Sequence, residues 1–424
     1  MKMTRLEDKL NQILPAKRLQ LLSAFLILAA FAVFAVASIA DPGNQFGNIF
    51  FWRPDNQTDT FMDFYNSVYD TMYGPYEHEV IYPPLCCLIF KMFGSLLPSS
   101  SYVKTWAERG GFRIRGFQEI QFSLLIFFAF FIILFVGAMQ KPLNKRGYFE
   151  KMMITLAMFL STPVLFALER GNIIIYSFVF LLLYFICYDD SRPWLREIGY
   201  IFLALSAAIK LYPAIFGLML IKDKKIKEAV RTVIYGIVFT VVPFVFFGGI
   251  DAISNMLKAI GKFKGAENYG ISFSNGVSFI LLGSTGYHRW LTFAGMVAAA
   301  CLIVCFFLVD KSPEHKWKMV AVLSLSMLGL VENCGKYMII FAIIPWLSFF
   351  RTEARLKLID YVYVLMMTVM LAPLPLGKFE ELQPYYDRNT MVICHTAIIM
   401  SVVLMLDIFI SFIKTHKKEA KPSV

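Results

Sequence analysis

Charge is scarce in this chain: Asp, Glu, Lys and Arg make up 17% of its 424 residues, against about a quarter in ordinary soluble domains. Hydrophobic residues reach 58% and mean hydropathy is +0.61, which excludes a set of water-soluble domains. There are five histidines and seven cysteines. Cys86 and Cys87 are adjacent, and the other five lie in or at the edge of apolar runs. No CxxC pair or Cys/His spacing offers a zinc site, so these read as buried thiols. No Gly-rich phosphate loop appears, which argues against a nucleotide-bound substrate. Internal repeats and soluble linkers are lacking too, and the whole chain reads as one membrane domain.

What is abundant is membrane-length apolar sequence. A spanning helix needs roughly 20 such residues and satisfies all its backbone groups internally. Runs near 19–40, 119–139, 152–168, 172–188, 229–249, 289–309, 317–331, 337–350, 357–376 and 390–413 read as spans. The first follows a basic amino-terminal segment and lacks a convincing cleavage site, so it reads as a retained anchor. The run 197–221 is interrupted by Lys-Leu-Tyr-Pro at 210–213 and reads as a helical hairpin; residues 81–98, broken by Pro83, Pro84 and Lys91, read as an interfacial or re-entrant helix. The total is about twelve crossings of an all-α polytopic membrane protein.

The net charge of +11 is no nucleic-acid signal, because the basic residues sit in short loops: Lys141, Lys145, Arg146 and Lys151; Lys222, Lys224, Lys225, Lys227 and Arg231; Arg351, Arg355 and Lys357; and Lys414, Lys417, Lys418 and Lys421. That is the positive-inside pattern, and it places both termini in the cytoplasm of a multi-pass cell-membrane protein. Trp52, Trp106 and Trp290 then fall at outer interfaces, and Trp194 and Trp317 at inner ones.

Against this background the extracytoplasmic stretch 41–81 collects seven carboxylates, Asp41, Asp55, Asp59, Asp63, Asp70, Glu77 and Glu79, with one basic residue, Arg53. Solvated loops are often acidic, which accounts for part of this. It accounts less well for "DTFMDFY", where Asp59 and Asp63, four residues apart, are mixed with Phe61, Met62, Phe64 and Tyr65. A carboxylate beside apolar rings is partly desolvated and becomes a better base. Three further polar interruptions fall on the same side: Glu169, Arg170 and Asn172 in "ALERGNIIIY"; Lys210 in "AAIKLYPAI"; and Glu332, Asn333, Lys336 and Tyr337 in "VENCGKYMII". Ionisable residues at membrane depth are costly and usually functional, although a Glu–Arg pair can neutralise itself and a lysine can snorkel. Basic residues on the outer face (Lys104, Arg109, Arg113, Arg115, Lys258, Lys262 and Lys264) suggest an anionic partner such as a phosphate headgroup.

Several of these motifs together resemble the GT-C membrane glycosyltransferases, and within them glycosyltransferase family 87. The matching elements are Asp63-Phe64 after the first span, Pro75-Tyr76, Tyr82-Pro83-Pro84, Glu169–Asn172 as "ERGN", Ala207–Pro213 as "AAIKLYP", and a weaker Asn-x-x-Ser element at Asn275. Where that family often carries a Trp- and His-containing motif, this chain has Lys336 and Tyr337. The resemblance implies a GT-C-like helical bundle that transfers a mannose-type hexose, with inversion, from a polyprenyl-phosphate donor. The acceptor would be a glycolipid or polysaccharide at the outer membrane face. It implies Asp63, or Asp59, as the base, and Arg170, Lys210, Arg113 and Arg115 on the donor phosphate. Tyr65, Tyr76, Tyr82, Glu169, Asn172, Tyr212, Asn275, Lys336 and Tyr337 would bind substrate. No cofactor is required by this reading, although the acids offer ligands for a divalent cation. A transporter or flippase for a lipid-linked or anionic substrate is the competing reading.

Overall fold

A computed structural model describes residues 2–51, 59–77, 80–97, 114–263, 270–282, 289–331, 334–351, 355–377 and 387–419. Asp55, Glu79, Trp52, Trp106, Lys104, Arg109, Arg113, Lys264, Glu332 and Asn333 lie outside the described residues. Among the described residues the structure is helical, with one isolated bridge between Gly270 and Cys334. Among these residues five helices are long and apolar enough to cross a membrane, or six if the broken pair Tyr148–Phe159 and Thr162–Arg170 counts as one span. Shorter apolar helices account for most of the rest of the expected twelve. They are half-length because the chain changes course inside the apolar runs, at Leu160–Ser161, at Lys210 and in the 3-10 stretch Lys336–Ala342.

Contacts divide the chain into two compact units, one of residues 1–49, 142–165 and 267–424 and the other of residues 50–141 and 166–266. In the second unit the helix Met62–Tyr73 lies beside Pro84–Gly94. At eleven residues the latter is too short to span on its own. An aromatic cluster holds them together: the ring of Phe64, fully buried, meets Phe127 at 5.2 Å, Phe93 at 5.6 Å and Phe90 at 5.9 Å. Such rings carry most of the local packing energy, so Phe64 pins the start of its helix and fixes where Asp63 stands.

Two helices in this unit, Ile174–Cys187 and Pro193–Ile209, pack closely. A side chain at Gly199 would come within 2.8 Å of the Cys187 Cβ, and Ser177 and Ser206 exchange hydrogen bonds of 2.7 to 3.1 Å. Small residues and interhelical hydroxyl pairs are the usual means of joining helices in lipid. The second helix starts with Pro193 in its first turn and ends at Lys210, which is extended (φ −138°, ψ 120°). Pro213 then opens a 3-10 turn, Tyr212–Gly217, because a proline cannot continue an α-helix through its missing N–H. The return arm reaches back far enough for the Tyr188 hydroxyl to donate to the Met219 carbonyl at 3.2 Å and the Asp223 carboxylate at 2.5 Å. The hairpin expected over 197–221 is therefore present.

The first unit packs Ala16–Ala40, Arg289–Leu308, Lys316–Leu330, Leu358–Leu371 and Arg388–Glu419 around buried apolar residues. Lys318 donates to Asp407 at 2.7 Å, and the Tyr363 hydroxyl donates to the same carboxylate at 3.1 Å. This joins three helices through one satisfied ion pair.

Candidate active site

The second unit brings together groups more than a hundred residues apart in the chain. Helix Thr162–Arg170 ends on Gly171, whose φ of +63° is the left-handed conformation that favours glycine. A Cβ there would lie 2.7 Å from the Phe64 Cβ. The tight reversal points Arg170 and Asn172 at the same target. Arg170 donates to Asp63 Oδ1 through Nε at 3.0 Å and also through Nη2, while Asn172 Nδ2 donates to Asp63 Oδ2 at 2.7 Å. Both oxygens of Asp63 are thus held, and its side chain is still 20% exposed, enough for a substrate hydroxyl to reach it.

Neighbouring contacts hold this centre in place. Arg170 Nη1 donates to the Asp59 carbonyl at 3.2 Å, and its guanidinium lies 4.4 Å from the Phe51 ring centroid. The Phe61 amide donates to the Glu169 carbonyl at 2.7 Å, and the Phe51 amide donates to the Glu169 carboxylate at 3.3 Å. Glu169 is buried, and the geometry gives it the task of tying the acidic segment down. Phe61 itself has φ +62°, a rare state for a bulky residue and one that persists only where surroundings enforce it.

On the other side of Asn172 stands Tyr82, at 3.4 Å from Asn172 Nδ2 to the phenol oxygen. Burial raises the Tyr82 pKa well above the usual phenol range, and the Asp63 charge adds to the effect, so the hydroxyl stays protonated. The Lys210 ammonium lies 4.4 Å from the Tyr82 ring centroid, a cation–π distance. Asp63, Arg170, Asn172, Tyr82 and Lys210 thus form one connected centre.

The remaining candidates stand elsewhere. Tyr65 is buried with its ring against Phe64 at 5.7 Å. Burial raises its pKa, and the nearby charge of Arg115 partly offsets this. Tyr76 lies in an apolar cluster with Phe244, Ala252 and Met256 and donates to the Tyr82 carbonyl at 3.0 Å. It supports Tyr82 from behind. Tyr212 follows Lys210 in the 3-10 turn and is half-buried. In the first unit, Asn275 is fully buried and donates to the Gly270 carbonyl at 3.0 Å. Lys336, also buried, pairs with Asp387, and Tyr337 beside it is half-buried.

Sequence reasoning missed Phe51 beneath Arg170, and it read Asn172 as a substrate contact where the structure shows it on Asp63. The one usable signal was the glycine inside "ERGN", which announces a reversal able to aim both neighbours at one partner. Among the described residues no three His, Cys, Asp or Glu side chains converge as a metal site would require. Both Asp63 oxygens moreover face N–H donors, which repel a cation.

A family model described as Glycosyltransferase family 87 matches residues 81–331, more than half of the chain. That span includes Tyr82, Glu169, Arg170, Asn172, Lys210, Tyr212 and Asn275, and begins after Asp59 and Asp63. No curated protein and no solved structure matches the chain.

Proposed function

Because the chain belongs to glycosyltransferase family 87, and is therefore a membrane glycosyltransferase, we propose that it moves a mannose-type hexose, with inversion, from a polyprenyl-phosphate donor to a glycolipid or polysaccharide acceptor. The reaction takes place on the extracytoplasmic face of the cell membrane, and both termini are cytoplasmic. The observation that carries this reading is the clamped, accessible carboxylate of Asp63, connected through Asn172 and Tyr82 to the Lys210 ammonium.

Asp63 accepts the proton of the acceptor hydroxyl as that oxygen attacks the anomeric carbon. With Asp63 as base and the phosphate leaving from the opposite side of the anomeric carbon, the transfer is one displacement, and one displacement inverts the centre. Arg170 is occupied by Asp63 and the Asp59 carbonyl, so its role moves from phosphate neutraliser to positioning residue. Lys210 then meets the charge that grows on the departing phosphate, where a preorganised cation is felt more in the transition state than in the ground state. Tyr82 contributes a neutral hydroxyl and a ring face to the sugar, and Asn172 holds the base in register.

The test is transfer by purified full-length protein with a panel of polyprenyl-phosphate sugars. Turnover with the mannose-type donor and inverted stereochemistry in the product support the reading. Vectorial movement of the lipid without any glycosidic product would replace it with the flippase reading.

A further inference from the structure

A concavity lies in the second unit between the helix Pro193–Ile209, the return arm Tyr212–Lys222 and the helix Ile226–Val241. Its volume is about 450 Å³ and its lining is almost wholly apolar. Small residues make the space: Ala204, Ala207, Ala214, Gly217, Ala229 and Gly236. A Cβ at Gly217 or Gly236 would meet nothing within 4 Å, so these glycines leave open room and do not serve helix contact. Beside the groove, Ile226–Val241 exposes Val230, Ile234 and Val238, as a helix against lipid would. Water gains nothing in such a groove, whereas a hydrocarbon chain fits it.

The lining runs from Ala229 to Val241, which is ~18 Å of helix at 1.5 Å per residue. One leaflet of a bilayer has about half of a ~30 Å hydrocarbon core, so the groove has the length of a single leaflet. At the Ala229 end stands a built basic turn. Five basic residues (Lys222, Lys224, Lys225, Lys227 and Arg231) accompany two acids over 222–231. The Lys225 amide donates to the Leu220 carbonyl at 2.8 Å, the Tyr188 hydroxyl holds Asp223 at 2.5 Å, and Lys224 is fixed at φ +58°. Arg231 is committed to Glu197 at 2.9 Å, and Lys225 lies over the Tyr188 ring at 4.1 Å. Lys224 and Lys227 are exposed.

We propose that the groove and this turn together bind one anionic phospholipid, with its chain beside Gly236 and its phosphate on Lys224 and Lys227. Basic pockets between membrane helices recognise anionic headgroups in this way. The opposite end of the groove, at Leu211, adjoins Lys210, a single ammonium already over the Tyr82 ring. Charge complementarity therefore favours the end with the basic cluster, and the glycosyl-transfer reading gives that cluster no task.

The experiment measures thermal midpoints of the delipidated full-length protein in neutral detergent. It compares dioleoyl phosphatidylglycerol with dioleoyl phosphatidylcholine. The expected result is a saturable rise with the anionic lipid and a much smaller one with phosphatidylcholine. Gly236→Leu, which fills the groove, abolishes the response. The double variant Lys224→Gln/Lys227→Gln folds normally and loses roughly tenfold or more of the preference for the anionic lipid. Equal responses to the two lipids, or an undiminished preference after both lysines are removed, overturn the proposal. A response to polyprenyl phosphate that competes with phosphatidylglycerol and survives the lysine changes overturns it too, by giving the groove to the donor. None of these readouts depends on glycosyl transfer, so failure here leaves the active-site reading standing.

Discussion

Gly171→Ala places one methyl group where the backbone, the aromatic core and the active centre meet. Two costs add. The residue sits at φ +63°, where a Cβ costs about 1–2 kcal/mol in L-residues. The new Cβ would also stand 2.7 Å from the Cβ of Phe64, with the Phe64 amide nitrogen 3.5 Å away. Phe64 cannot swing aside, because it is fully buried among Phe90, Phe93 and Phe127. The loop must give instead, and it carries Arg170 and Asn172 on either side. Overpacking of this kind costs roughly 1–3 kcal/mol, so a total loss of about 2–5 kcal/mol is expected. A displacement near 1 Å in a positioned catalytic group costs on the order of 10²-fold in rate. The variant should therefore melt earlier and, measured per folded molecule, turn over about a hundredfold more slowly. The assay pairs a thermal melt with initial rates on the same preparation. Wild-type turnover in a folded Gly171→Ala protein would refute the idea that this turn sets the geometry of Asp63.

Arg170→Lys keeps the charge but loses the planar fork on Asp63, so turnover should stay low in a folded protein; full rescue would reduce Arg170 to a point charge. Lys210→Met should lose ~10²–10³ in turnover by comparison with oxyanion-hole donors, with a stability loss of about 1 kcal/mol from the Tyr82 contact; an unchanged rate would remove the phosphate role. Burial raises the Asp70 pKa to about 7. The folded protein holds that proton more tightly than the unfolded chain, so this group costs stability as pH rises from about 4 to about 7, where the two states differ most in protons bound. Asp70→Asn removes the penalty, and its stability relative to the wild type should climb across that window; a flat difference in melts from pH 4 to pH 8 would show that Asp70 is not desolvated.

Much of this fold was legible because lipid demands uninterrupted apolar helices. The expected span 119–139 is the helix Gln118–Gln140, and 289–309 is Arg289–Leu308. Breaks were legible where chemistry forces them, as at Lys210 and Pro213. Span counting was less secure, since a run such as 337–350 divides into a 3-10 stretch and the short helix Ile343–Phe349, and hydropathy does not record which turn a backbone adopts.

At the site, the Asp63, Arg170, Asn172, Tyr82 and Lys210 set was legible as motifs. Its internal wiring was not, because Asp63 and Arg170 stand 107 residues apart and only tertiary packing decides which donor meets which acceptor. Tyr65 shows that nearness in sequence to Asp63 does not place a side chain beside it. It is two residues from Asp63 along a helix, and that spacing turns it toward Phe64 and the core.

The central claim is that Asp63 accepts the acceptor's proton. The most direct measurement is the rate of Asp63→Asn beside Asp59→Asn, each normalised to folded protein, with a polyprenyl-phosphate-mannose donor. The account expects no detectable transfer by folded Asp63→Asn, since an amide cannot take the proton, and substantial transfer by Asp59→Asn, which keeps the backbone carbonyl that accepts from Arg170. Near-normal transfer by Asp63→Asn, with or without loss in Asp59→Asn, would contradict it.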